Sequence, residues 1–141
     1  MQIGVDSQRA VENKRVFIID SDDVSSTALQ FMLADECEAH VLPNVVAALD
    51  KGMEWPPQLI LLGAGVLAME GVGAVTRFKT RLENVKVMIV CDSTADPLVK
   101  EALALGANSA LARPLKLETV RQKVNVLLGR RALLDIAVAA L

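Results

Sequence analysis

The chain has 141 residues, 52% hydrophobic and 23% charged, with a formal net charge of −2; this is the balance of one compact domain with a single filled core. Three Phe, one Trp and no Tyr leave little for tracking phosphates or stacking bases, which argues against nucleic acid as a direct partner. Cys37 and Cys91 lack C-x-x-C spacing, so neither a disulfide framework nor a zinc site is indicated.

Residues 1–13 mix Gln, Asp, Ser, Arg and Glu without the basic start and apolar block of a secretory signal; they read as a polar arm on a protein expected in the cytoplasm. The main unit is expected over 14–128. Its first apolar run, Val16-Phe17-Ile18-Ile19, is continuous rather than alternating, as in a strand buried on both faces of a parallel sheet. A helix is predicted over about 24–34, capped by Asp22 or Asp23. A second strand near Ala39–Leu42 leads into a short helix, Val45–Lys51, which Gly52 is expected to end with a positive φ. After the loop Trp55-Pro56-Pro57 comes a third strand, Leu59–Leu62, and a helix carrying Val72, Val75, Phe78 and Leu82. Val85–Val90 gives a fourth strand. Asp96-Pro97 reads as N-cap and first helical residue, with Leu98, Ala102 and Leu105 facing inward and Gly106 stopping the helix. A fifth strand, Ser109–Ala112, ends at Arg113-Pro114, and a last helix near Lys116 carries Leu117, Val120, Val124 and Leu127. Five strands alternating with five helices predict an α/β, three-layer, doubly wound parallel sheet.

The landmarks in this order resemble the receiver domain of bacterial two-component response regulators, from about Arg15 to Leu128. Asp20-Ser21-Asp22-Asp23 closes the first strand, and Glu70-Gly71 stands where that family often has Asp-Gly. Glu101-Ala102-Leu103-Ala104-Leu105-Gly106-Ala107 looks like the family's fourth helix and Gly-Ala turn, and Arg113-Pro114 sits at its Lys-Pro. The resemblance implies a flavodoxin-like fold with strand order 2-1-3-4-5, a cis bond before Pro114, and phosphoryl transfer from a histidine kinase to an aspartate at the end of strand three, with Mg²⁺ held by that aspartate and an acidic pair.

The chain departs from the pattern where that chemistry resides. Gly63 stands at the nucleophile's position and Ser21 at the second residue of the acidic pair, leaving Asp20 alone in place. Cys91 replaces the Ser or Thr of strand four, Arg113 the lysine of strand five, and Ala110 the aromatic that often reports the switch. Mg²⁺ needs several oxygen ligands to offset its dehydration, so no metal or other cofactor is expected. Asp20, Ser21, Gly63, Cys91 and Arg113 thus read as a degenerate phosphorylation pocket.

Within it, Arg113 either pairs with Asp20 across the sheet edge or snorkels into solvent over apolar surface. Nearby Arg113 would lower the pKa of Cys91 if the thiol lay in a cleft, but no general base accompanies it. His40, the only histidine, falls on an edge strand far from that thiol. Gly63-Ala64-Gly65-Val66-Leu67-Ala68 fits the G-x-G-x-x-G/A pattern, but it comes after the third strand rather than the first, and Glu83 and Asp92 are both misplaced as its acidic partner. It reads instead as a small-residue loop.

Residues 129–141 add an apolar run beyond the point where receivers generally finish. Ten helical residues reach only half a bilayer core, so a membrane span is excluded. Val120, Val124, Leu127, Arg131, Leu134, Val138 and Leu141 keep the alternating steps of a coiled-coil seam. Three fates stay open: a dimerising extension using Leu134, Val138 and Leu141, a tail folded back on its own domain, or the first helix of an output region. The expected function is a phosphorylation-independent receiver, not an enzyme, acting in signal transduction through protein contacts and homodimer formation. The alternative is a receiver switched by a non-phosphate ligand, such as a small anion on Arg113 and the glycine-rich run, or by residual phosphoryl binding.

Overall fold

The computed structural model describes residues 14–130. Chain order is β1 (Lys14–Ile19), α1 (Asp23–Leu33), β2 (Cys37–Val41), α2 (Val45–Glu54), β3 (Leu59–Gly63), α3 (Ala64–Glu70), α4 (Gly73–Arg81), β4 (Lys86–Cys91), α5 (Pro97–Ala104), β5 (Ser109–Ala112) and α6 (Leu117–Leu127). All neighbouring strands pair in parallel, in the order β2-β1-β3-β4-β5. The layering is that expected from the alternation of elements, and the strand order is the one the resemblance implied.

The continuous apolar runs are explained by burial on two sides. Phe17, Ile19, Ile60, Leu62, Val87 and Ile89 pack with Val45, Leu49, Phe78, Val99 and Ala102 on one face. Val16, Ile18, Leu59, Leu61, Met88 and Val90 pack with Leu29, Leu33, Val120 and Val124, from α1 and α6, on the other. Edge strand β2 is partly shielded, because the Gln30 side chain donates to the Ala39 carbonyl at 3.2 Å. Among the described residues, no helix is long and apolar enough to cross a membrane.

Several local expectations are corrected. The run expected as a loop after β3 is α3, capped by Gly63 and anchored by buried Val66 and Leu67; burying these two side chains outweighs the low helix propensity of Gly65. Gly52 does not end α2, which continues to Glu54. A Cβ there would lie 2.9 Å from Leu82 Cδ1, so this glycine serves close packing rather than a turn. The inward residues of α5 are Val99 and Ala102, not Leu98 and Leu105; Leu105 is the C-cap and 41% exposed. Asp96 caps the helix and Pro97 opens it, as expected, and the face that meets the core is the one carrying Val99 and Ala102. In α6, Val120 and Val124 are buried while Leu117 is 45% exposed.

The seam expected to run on from α6 is also broken. Gly129 takes φ +79°, and the amides of Gly129 and Arg130 turn back to the carbonyls of Val126 and Asn125. A left-handed glycine just past the last turn closes off a helix. Arg131, Leu134, Val138 and Leu141 lie outside the described residues, as does the N-terminal arm.

Candidate functional site

A doubly wound sheet gathers its loops at the carboxyl ends of the strands, and here that edge brings together residues from β1, β3, β4 and β5. Asp20 comes directly after β1, and its Oδ1 accepts from the Asp22 amide at 3.0 Å. Asp22 is the N-cap of α1: its Oδ1 accepts from the Val24 amide at 3.2 Å and its Oδ2 from the Ser25 hydroxyl at 2.8 Å. Of the two candidate caps, Asp22 and Asp23, the structure uses Asp22.

Arg113 enters from β5, its amide bonded to the Cys91 carbonyl at 2.8 Å; the bond to Pro114 is cis, as the resemblance implied. Each of the three guanidinium nitrogens has a partner. Nη2 donates to Asp20 Oδ2 at 3.0 Å, Nε to Ser25 Oγ at 2.9 Å and Nη1 to Asp92 Oδ1 at 3.2 Å. Of the two readings of Arg113, the ion pair is the one formed. The Asp20 side chain is only 2% exposed and that of Arg113 24%.

Gly63 makes this seating possible. A Cβ at that position would stand 2.5 Å from Asp20 Oδ1, below any van der Waals separation, so the Asp20 carboxylate occupies the space a side chain on residue 63 would need. Ser21 repeats the relation two residues on, its hydroxyl lying over Gly65 where a Cβ would clash. The two glycines let the β1–α1 loop settle onto the start of α3.

Burial pushes the Asp20 carboxyl above the usual carboxylate range, while the Asp22 amide and the Arg113 guanidinium pull it back part of the way. Asp22 is held below that range, chiefly by the Ser25 hydroxyl. Cys91 is not the cleft thiol envisaged. It is fully buried in the core, its Sγ directed to the Leu111 carbonyl at 3.7 Å, and burial raises its pKa against the smaller opposing effect of Arg113. The site thus joins Asp20, Gly63 and Arg113 directly, places Ser21 on its exposed rim, and leaves Cys91 beneath it. Ser25 and Asp92 were missed as members of it. Ser25 carried no signal beyond its place in the first turn of α1, and Asp92 appeared only as a misplaced partner for the glycine-rich run.

The donor set does not suit a divalent cation. Both oxygens of Asp20 are engaged, one by an amide and one by a guanidinium, and among the described residues no three His, Cys, Asp or Glu side chains are grouped to hold a metal ion. At the glycine-rich run, the Asp20 carboxylate and the Ser21 hydroxyl lie against Gly63 and Gly65, where a phosphate would approach the backbone.

A second arginine-centred cluster sits at the opposite edge of the sheet. Arg15 pairs with Glu38 at 2.5 Å, stacks on Trp55 at 3.9 Å and donates to the Pro56 carbonyl at 3.0 Å. His40 shares Glu38 Oε2 at 3.0 Å and lies 4.6 Å from the Trp55 ring.

The response regulator receiver domain model matches residues 16–125. The chain is 27% identical over 113 residues to a protein-glutamate methylesterase/protein-glutamine glutaminase of Methanospirillum hungatei, covering 77% of this chain and 33% of that protein. It is 30% identical over 81 residues to sporulation initiation phosphotransferase F of Bacillus subtilis, covering 57% of this chain and 65% of that one. The chain therefore spans about a third and just under two thirds of these two relatives. The receiver domain of the Pseudomonas aeruginosa sensor histidine kinase PA1611, solved with a magnesium ion in its active-site cleft, superimposes with TM-score 0.72 at 16% identity, over 83% of this chain and 98% of that one.

Proposed function

The chain belongs to the response regulator receiver domain family, a module of two-component signalling, and from that premise we propose that it is a receiver that works without phosphorylation, through protein contacts. The observation that carries the reading is the Asp20 carboxylate lodged over Gly63, within 2.5 Å of where a Cβ would be, and tied to Arg113. In this reading Arg113 takes the place that a divalent cation has beside the carboxylates of a phosphorylated receiver. A guanidinium is always charged, so the pair needs neither metal nor phosphoryl group to persist.

Amide NMR shifts monitored during titration with Mg²⁺ and then beryllium trifluoride test this. The expected outcome is no saturable shift at Asp20, Gly63 or Arg113; saturable shifts there would overturn the proposal. An anion-switched receiver is less well supported, because Nε, Nη1 and Nη2 of Arg113 already donate within the protein and Asp20, Asp22 and Asp92 surround it with negative charge.

The proposed docking face is that of α5, β5 and α6, where Leu103, Leu105 and Leu117 are exposed. Its partner is taken to be another cytoplasmic protein. Self-association is a separate part of the proposal, assigned to the apolar segment 129–141 and in particular Leu134, Val138 and Leu141. Light scattering of the full chain and of Leu134→Asp across a concentration series tests it: a dimer fraction that grows with concentration and is lost in the variant is expected, and a mass unaffected by either would refute it.

A further inference from the structure

Helix α1 turns Val24 and Phe31 to solvent, 77% and 82% exposed. Seven residues apart, they share one side of the helix about 10 Å from each other, and a Phe so exposed forfeits the 1.5–3 kcal/mol or so that burial of its side chain provides. The helix lies against α6 through Arg121, which donates to the Met32 carbonyl at 3.1 Å and pairs with Asp35 at 3.7 Å.

The chain leaves α6 next to the same helix. Gly129, at φ +79°, turns it out of α6, and Arg130 Nη1 donates to the Glu36 carbonyl at 2.9 Å, just past the end of α1. Beyond this point the chain continues with Arg131 and then Ala132-Leu133-Leu134-Asp135-Ile136-Ala137-Val138-Ala139-Ala140-Leu141. Leu134 and Leu141 have the same seven-residue spacing as Val24 and Phe31, with Val138 between them. Asp35, whose carboxylate is 88% exposed, and Glu36 follow the end of α1 near this exit, both within reach of Arg121.

We propose that the Val24–Phe31 face of α1 is the seat of this chain's own segment 132–141, which runs back along α1 after the turn at Gly129. Tethering favours the contact within one molecule, since a short linker holds the segment at an effective concentration of order millimolar. Exchange of the same contact between two copies, at high concentration, is how the self-association proposed above would form. This inference deepens that reading and makes the contact within one chain the resting state. It is independent of whether Asp20 and Arg113 exclude phosphorylation.

The test uses the full chain, isotope-labelled, with a nitroxide on Ala139→Cys; the native Cys37 and Cys91 are both buried. Amides of 24–31 are expected to lose most of their intensity at low protein concentration, unchanged on dilution, and to regain it in the Phe31→Asp background, where the exposed site leaves the fold intact and its amide spectrum dispersed. Full intensity in α1 beside the intact Phe31 would overturn the proposal. So would broadening seen only when spin-labelled and isotope-labelled chains are mixed, an outcome that would leave self-association standing while refuting the resting contact.

Discussion

Arg15 and Arg113 mark opposite edges of one sheet, each paired with a carboxylate, yet the two carboxylates shift in opposite directions. Glu38, 31% exposed, is held below the usual range by the hydrogen bond from Arg15. Asp20, 2% exposed, is pushed above it because burial outweighs everything Arg113 and the Asp22 amide supply. Solvent access decides the sign. At the outer pair water still reaches the Glu38 carboxylate, so attraction is a modest gain; at the inner pair the Asp20 carboxylate has lost its water, and the partner only offsets a cost already incurred.

Breaking the inner pair therefore has the largest expected effect. Arg113→Ala leaves a buried carboxylate without its counter-charge and should cost about 3 kcal/mol, the low end for a broken buried pair because Arg113 itself keeps some exposure. Denaturant unfolding measures the loss, and NMR titration of Asp20 should show its pKa rising further.

Gly63→Ala probes the same pair sterically. The new Cβ forces the Asp20 carboxylate off its seat, at a cost of about 1–2 kcal/mol, in the range of overpacking. In an Asp20→Ala background the penalty should largely vanish, so a double-mutant cycle should return a coupling of about 1 kcal/mol or more; equal penalties in both backgrounds would mean the close approach carries no energy.

At the outer edge, Arg15→Ala should cost about 1 kcal/mol, combining an exposed ion pair with a cation–π contact to Trp55. Since Trp55 is the only tryptophan, its fluorescence should report the change directly.

The finest distinction is in pH. Glu38, with a lowered native pKa, contributes stability above the usual carboxylate value that is lost as pH falls through its native pKa. Asp20, with a raised one, binds its proton more tightly in the native state, so stability falls as pH rises from the usual value through the native pKa. Glu38→Gln and Asp20→Asn should thus change the slope of stability against pH with opposite signs, the first below the usual carboxylate range and the second above it. Slopes changing alike would refute the contrast.

The strands were legible in the sequence because a strand buried on both faces must be apolar throughout, and Val16-Phe17-Ile18-Ile19 and Leu59-Ile60-Leu61-Leu62 have that pattern whatever surrounds them. Asp20, Gly63 and Arg113 were legible as site residues through the resemblance to receivers, which places that family's phosphorylation chemistry at these strand ends. Features decided by contact between distant segments were not legible. Gly52 resembles a helix stop and is a packing position against Leu82; Gly63-Ala64-Gly65 resembles a loop and becomes a helix once Val66 and Leu67 find the core; Cys91 stands beside charged residues in sequence but lies beneath them in space. Ser25 joins the site across 88 positions from Arg113, and no local pattern records a partner that far along the chain. The order of residues thus dictated the alternation of strands and helices and left position 63 without a side chain. That Asp20 fills the space so vacated was decided by folding alone, because van der Waals exclusion and desolvation act between neighbours in space.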